Sequence, residues 1–333
     1  VLALGIPSMT VRTAIMVPIA WALVQALELP LPGRGSALII LSTFEIAVLP
    51  GCALLTGALW GPYLAGLFAN QGIPIAWLDY ARVMFVPTLA WCVMMLAANV
   101  AVLRPAGGLG VTHAVVAAEL AKLGRMSRHE RLTALVVAAS IVAWATQPWH
   151  KAPAEAIGMV AMATLFAAGV LHAGEIGTGI PWALALFVGG MLRLGTVITT
   201  YKISGWVSSL VVPVLAPLAG NPFLLATGIG VAVMAMRFID PVGFISIATF
   251  FLALVGVAGE WGLSPLVLSG IIFLPLHVFW FSYQNIWIVI TEGVTKKQAY
   301  TDGDRIRLAT VFAGVTILAL WVAVGYWKVT GLM

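Results

Sequence analysis

The stretch Gly5–Trp21, GIPSMTVRTAIMVPIAW, is apolar on both sides of a single arginine, Arg12, and carries prolines at positions 7 and 18. An arginine at the centre of a bilayer costs at least ~2.5–3.5 kcal/mol, so a chain that keeps one there has a use for it. The two prolines argue against a plain spanning helix and predict a broken or re-entrant one.

The surrounding chain reads as membrane-embedded. Of its 333 residues 62% are hydrophobic and 9% charged. Apolar runs at Ala37–Pro62, Val83–Leu103, Leu132–Trp149, Pro153–Leu171 and Leu308–Tyr326 are long enough to cross a bilayer as helices. They lack the period-2 alternation of barrel strands, which predicts an all-α polytopic fold. Cys52 and Cys92 lie inside such runs and read as small buried hydrophobes, not as a disulfide framework. No metal-ligand spacing, nucleophile triad or phosphate-cradling loop occurs. GIGVAV at Gly228 has no strand before it and is not a dinucleotide fingerprint. The reading is a carrier rather than an enzyme, with no cofactor, no metal centre and no nucleic-acid partner.

Charge sets the orientation. The loop Arg104–Arg131 holds Arg104, Lys122, Arg125, Arg128 and Arg131, and Glu292–Arg307 holds Lys296, Lys297, Arg305 and Arg307, while ELPLPGRG adds Arg34. By the positive-inside rule these loops face the cytoplasm, and the C-terminal WKVTGLM then lies outside. The expected location is a bacterial inner membrane, crossed several times. Trp77, Trp149, Trp182, Trp206, Trp261 and Trp327 fall near predicted helix ends, as an aromatic belt requires. The chain opens at Val1 within an apolar stretch, from which we expect an N-terminally truncated product whose first helices are missing.

Four apolar segments are interrupted: Gly5–Trp21, Leu49–Pro62 (LPGCALLTGALWGP), Phe223–Thr249 at RFIDPVG, and Leu274–Ile290 at SYQN. Broken helices in corresponding positions of two halves point to a transporter's binding site. Sliding the chain on itself by 225 residues lays Met9-x-x-Arg12 on Met234-x-x-Arg237 and Asp79-x-x-Arg82 on Asp304-x-x-Arg307, and brings Gly61 beside Asn285. Residues 1–103 are thus expected to be the later part of a first repeat, 104–131 a cytoplasmic linker, and 132–333 a second repeat. Arg82 would begin its helix outside and Arg307 inside, so the repeats are inverted. Their hairpin tips should lie near Ser8–Thr10 and Val233–Arg237.

These segments carry a family resemblance. SMTVRTAIMVPIA resembles the first Ser-Asn-Thr hairpin-tip motif of the divalent anion:sodium symporter family, matching at Ser8, Thr10, Thr13, Ala14, Pro18 and Ile19. LLTGALWGP is similar to the family's break in the next helix, with Thr56 and Gly57 in place. GRMSRHERL resembles the opening of the second repeat, and IPWALALFVGGMLRLG a glycine-rich helix within it. YQNIWIVITEG resembles the second break, with Asn285 retained. The resemblance implies an elevator-type secondary transporter of di- or tricarboxylates, homodimeric and coupled to sodium. It places Ser8, Thr10 and Asn285 on the substrate, and leaves Ser8, Thr56 and Gly57 as oxygen donors for an ion. The chain departs from the family at Met9, where the motif has asparagine, and at Val233-Met234-Ala235, where a second Ser-Asn-Thr is expected. Thioether and methyl groups offer a sodium ion no ligand, so two-site sodium coupling is not expected.

Arg12, Glu45, Arg193, Arg237 and Asp240 all fall at membrane depth. Arg12 and Arg237 are the expected substrate ligands, since a guanidinium can replace a cation and grip a carboxylate in a bidentate fork. Asp240, at i+3 from Arg237, and Glu45, opposite Arg12, are the expected charge partners. Arg193 has no repeat equivalent, and His277 reads as a satisfied buried histidine. The leading function is exchange or symport of a small organic anion. A cation/proton antiporter titrating at Glu45 or Asp240, and a transport-inactive scaffold subunit with structurally paired charges, stay open as alternatives.

Overall fold

The computed structural model describes the chain except for residues 1, 2, 4, 5, 7, 106–124, 180, 181, 183–185, 187, 188, 191, 192, 194, 195, 199, 241 and 242. The described elements are helical. In order, the principal ones are α1 (Met9–Ala26), α2 (Arg34–Val48), α3 (Trp60–Asn70), α4 (Trp77–Leu103), α5 (Arg128–Ala145), α6 (Ala154–Ala167), α7 (Ile203–Leu215), α8 (Pro222–Met236), α9 (Phe244–Ala258), α10 (Pro265–Phe273), α11 (Ile286–Val294) and α12 (Asp302–Val329). Five segments, Met9–Ala26, Arg34–Ala53, Trp77–Leu103, Phe244–Trp261 and Asp302–Val329, are long and apolar enough to cross a bilayer. The chain is an all-α polytopic membrane protein.

Local sequence explains where the helices start. Asn221 and Ser264 cap α8 and α10, each followed by a proline whose missing N–H costs nothing in the first turn. Ser127 and Glu130 form a reciprocal capping box on α5, and hydrogen bonds from Ser127 hold the Glu130 carboxyl below its usual range. Because of that cap α5 begins at Arg128, inside the segment expected to be linker. Thr301 and Asp304 make the same box on α12.

The repeat emerges from the element boundaries. A shift of 225 residues carries α4 from Trp77–Leu103 onto 302–328, and α12 occupies Asp302–Val329. The 3₁₀ turn Leu49–Ala53 that ends α2 falls on Leu274–His277, which ends α10. Each opens on a proline, Pro50 or Pro275, which stops the α-helix by withholding an N–H. After an irregular stretch the chain resumes in α3 and α11, again in register. The equivalent helices α4 and α12 run antiparallel. Tyr326 Oη and Trp327 Nε1 donate to the carbonyls of Arg82 and Val83, while Trp91 Nε1 donates to Thr316 Oγ1 further along. Antiparallel equivalents require an axis across the helices, hence an inverted repeat.

The hairpins correct part of that register. α8 is 15 residues, about 22 Å at 1.5 Å per residue, too short for the ~30 Å hydrocarbon core, while α9 reaches 18 residues only with the 3₁₀ turn that ends at Trp261. They flank residues 237–243, where the second hairpin tip is expected. Its returning helix, α9, corresponds to α1, but it starts 235 residues after Met9 rather than 225. Arg12 therefore sits in the first turn after its tip, whereas Arg237 is the C-cap of α8, before its tip. The two arginines are not sequence equivalents. Pro18, expected to break its segment, lies inside an unbroken α1. Trp77 and Trp327, expected in the aromatic belt, are buried and bonded inside the protein. Arg193 is exposed, and most of the surrounding 180–195 motif lies outside the described residues.

Candidate functional site

Both hairpin tips pack on both helix breaks. Tip 1 begins with Ser8, whose Oγ accepts from Val11 N at 3.3 Å and so caps α1. The cap starts the helix early enough to place Arg12 on its buried face, fully enclosed. From there Arg12 Nε donates to Ala47 O at 2.7 Å, and Nη1 donates to Ile6 O at 2.5 Å and Gly57 O at 3.0 Å. These carbonyls come from Ile6 ahead of α1, the end of α2 and the break beyond it. One guanidinium thus ties together the three segments whose backbone groups the broken helices leave unpaired. The close approach depends on glycine: a Cβ at Gly51 would run into Arg12 Nη2 and Gly57 O, and one at Gly61 into Leu55 O.

Tip 2 uses its arginine in the same way from the opposite side of the hairpin. Arg237 Nε donates to Leu276 O at 3.0 Å, Nη2 donates to Gln284 O, and Nη1 donates to Asp240 O. Here a carboxylate is also present, Asp240 Oδ1, 3.7 Å from Arg237 Nη1. The same carboxylate accepts from Gly243 N (2.9 Å), Ser246 N (2.7 Å) and Ser246 Oγ (2.8 Å), which fixes the start of α9. Gly243 has φ +91°, a backbone open to glycine and strained for other residues.

Each tip also reaches the other repeat. Trp287 Nε1, in the first turn of α11, donates to Thr10 Oγ1 at 3.1 Å. Asn285 caps α11 by accepting from Trp287 N (3.1 Å), and its Nδ2 donates to His277 O (3.2 Å). Reciprocally, Trp60 at the start of α3 packs on Phe244 of tip 2, ring centroids 4.4 Å apart, and Tyr63 Oη donates to Phe244 O at 3.1 Å. His277 lies among Trp60, Trp91, Phe273 and Trp287, with Nε2 3.6 Å from Cys52 Sγ. Cys52 and His277 are again 225 residues apart, so the repeat axis passes through this cluster.

Ser8, Thr10, Arg12, Thr56, Gly57, Arg237, Asp240 and Asn285 therefore gather where tips meet breaks. Glu45 does not pair with Arg12. It faces α4, where Asn99 Nδ2 donates to its Oε2. The three oxygen donors expected for an ion already accept protein hydrogen bonds, Ser8 from Val11 N, Thr56 from Trp77 Nε1 and Gly57 from Arg12. Sequence reasoning passed over Asn99, Trp60 and Trp287. An asparagine within an apolar spanning run was a readable signal; the two tryptophans had none beyond standing beside breaks.

The two tips differ in charge. Arg237 faces Asp240, but no carboxylate of the described residues pairs with Arg12, and its Nη2 is buried without a hydrogen-bond partner. A buried, uncompensated guanidinium costs several kcal/mol unless an anion completes it.

The profile of the family described as the sodium:sulfate symporter transmembrane region matches residues 1–331. The chain is also similar to the protein named dicarboxylate transporter 1, chloroplastic, of Spinacia oleracea, with 23% identity over 348 aligned residues, covering 99% of this chain and 60% of that protein. The chain thus spans about three fifths of that relative's length.

Proposed function

The chain belongs to this sodium:sulfate symporter family, and from that premise we propose that it carries a small organic anion of the dicarboxylate class by an elevator movement of tips and breaks, as an exchanger. The observation that carries the reading is Arg12, a buried cation with an unpartnered Nη2 and no carboxylate partner among the described residues. A transport-inactive scaffold would be expected to pair its buried charges internally, and Arg12 departs from that pattern. The family and the name of the relative support an anion; the dicarboxylate class rests on the latter alone.

In this reading one substrate carboxylate meets Arg12 Nη2 near Gly51. Thr10 and Asn285, tied through Trp287, are the polar groups this reading places on the substrate's other side. Arg237 is balanced by Asp240 and holds tip 2 to the second break, adding positive field without serving as the primary anchor. An empty carrier would have to move Arg12 uncompensated, which favours exchange over net uptake. Sodium is not required at tip 1, where Arg12 binds the carbonyls and the Met9 side chain supplies no oxygen. The charge of the loops supports a cytoplasmic face at Arg34 and Lys296–Lys297 and an external C-terminus in a bacterial inner membrane. Homodimerisation is inferred from the family resemblance.

The test is uptake of labelled succinate into proteoliposomes. Uptake should need an internal dicarboxylate, and Arg12→Lys should abolish it while the protein stays folded. Equal uptake into empty and loaded vesicles would refute exchange, and no uptake under any gradient would refute the carrier reading.

A further inference from the structure

Glu45 and Asn99 lie at depth, 1% and 0% exposed, on packed helices α2 and α4, and the anion site uses neither. Asn99 Nδ2 donates to Glu45 Oε2 at 2.5 Å and to Ser42 Oγ at 3.1 Å. That leaves two buried oxygens, Glu45 Oε1 and Asn99 Oδ1, with no donor at all. Buried acceptors without partners are rare in folded proteins, and each one calls for an explanation. Here one of them belongs to an acid with no basic residue in ion-pair distance among the described residues.

We infer that Glu45, Asn99 and Ser42 form a binding site for one small cation, a proton or a sodium ion. The unsatisfied atoms are a carboxylate oxygen and an amide carbonyl. Asn99 presents its NH2 group to Glu45 Oε2 and Ser42 Oγ, so a proton is taken at Glu45 Oε1 directly, whereas sodium needs the amide to turn over and bring its carbonyl to the same two groups. The charged and titratable groups of the packed elements do not compete. Arg12 of α1 is committed to carbonyls, including Ala47 two residues beyond Glu45. Glu292 of α11 is committed to Arg305 of α12 at 2.5 Å. Cys92 shares α4 with Asn99, and Arg307 of α12 is exposed rather than turned into this cluster.

Binding at this site makes anion movement cation-linked, a consequence that rests on the carrier reading above; the site itself does not. The experiment titrates the purified chain with sodium chloride against choline chloride at fixed ionic strength, following thermal unfolding. In parallel, infrared spectroscopy looks for the carboxylic-acid C=O stretch that a proton on Glu45 would give. A sodium-specific rise in Tm that vanishes in Glu45→Gln identifies sodium. A buried carboxylic-acid band that vanishes in Glu45→Gln, with no sodium effect, identifies a proton. Absence of both from the wild-type protein overturns the proposal, and that result needs no variant to fold. Succinate uptake in the same preparation separates the two readings: uptake without either signal refutes the cation site alone, and either signal without uptake refutes the carrier alone.

Discussion

Trp91 and Thr316 stand 225 residues apart in the chain and meet in the folded protein, indole Nε1 to hydroxyl Oγ1 at 3.1 Å. Residues that a repeat makes equivalent can touch only on the axis that relates them. Cys52 and His277, the same distance apart in sequence, touch as well. These two contacts, with antiparallel α4 and α12, fix the symmetry as a two-fold across the helices.

That contact has a measurable cost of removal. Thr316 donates its own proton to Phe312 O, so its oxygen is the acceptor for Trp91. Thr316→Val keeps the shape and leaves a buried indole N–H unpaired, which should lower stability by ~1–3 kcal/mol. Thermal unfolding in detergent measures it. A double-mutant cycle with Trp91→Phe should show coupling, and strict additivity would mean that the bond contributes nothing.

Asp240 should matter more for folding than any single hydrogen bond. Its carboxylate accepts from Gly243 and Ser246 and faces Arg237. Asp240→Asn removes the charge while keeping most of the volume. Breaking a buried pair on one side costs ~3–5 kcal/mol, so the variant should unfold well below Thr316→Val. An unchanged Tm would show that the charge plays no part in holding tip 2.

Sodium dependence should be shallow. Met9 presents a thioether where an oxygen is needed, and Ser8, Thr56 and Gly57 already accept protein hydrogen bonds. At most the single Glu45 site remains. Uptake measured against sodium at constant ionic strength should therefore show a Hill slope no steeper than one. A slope near two would restore the two-site coupling that the sequence departures argue against.

Much of this was readable before any coordinates. Hydropathy marked the spans at Ala37–Pro62, Val83–Leu103 and Leu308–Tyr326 but not those expected at Leu132–Trp149 and Pro153–Leu171, where α6 is only 14 residues long, and prolines and glycines marked the breaks except at Pro18, because both effects are local to the backbone. The Asp-x-x-Arg pairs revealed the register of α4 and α12, since each follows a fixed helix start. The Met-x-x-Arg match misled, because ten residues separate the register of the hairpins from that of the breaks, and the two arginines lie on opposite sides of their tips. Partners at depth were the least legible. Whether Glu45 turns to Arg12 or to Asn99 depends on the rotation of α2 against α4, which apolar residues surrounding a helix on all sides do not encode.

The two arginines should separate when each is changed to lysine. Both substitutions keep the charge and lose the planar fork. At position 12 an ammonium cannot reach the carbonyls of Ala47, Ile6 and Gly57 and still present a donor toward Gly51. Loss of a buried charged contact costs ~2–5 kcal/mol, so exchange should fall roughly 30-fold or more. Gly51→Ala should act in the same direction without touching any charge, because the added methyl collides with Arg12 Nη2 and Gly57 O. Arg237→Lys instead disturbs the clamp on Leu276 and Gln284 beside Asp240. It should lower thermal stability first and leave the apparent affinity for the anion nearer to wild type. Initial rates over a range of succinate concentrations, with Tm measured on each variant, distinguish the outcomes. Wild-type exchange in Arg12→Lys would remove Arg12 from the anion site, and equal losses of affinity at both positions would return the pair to symmetric roles.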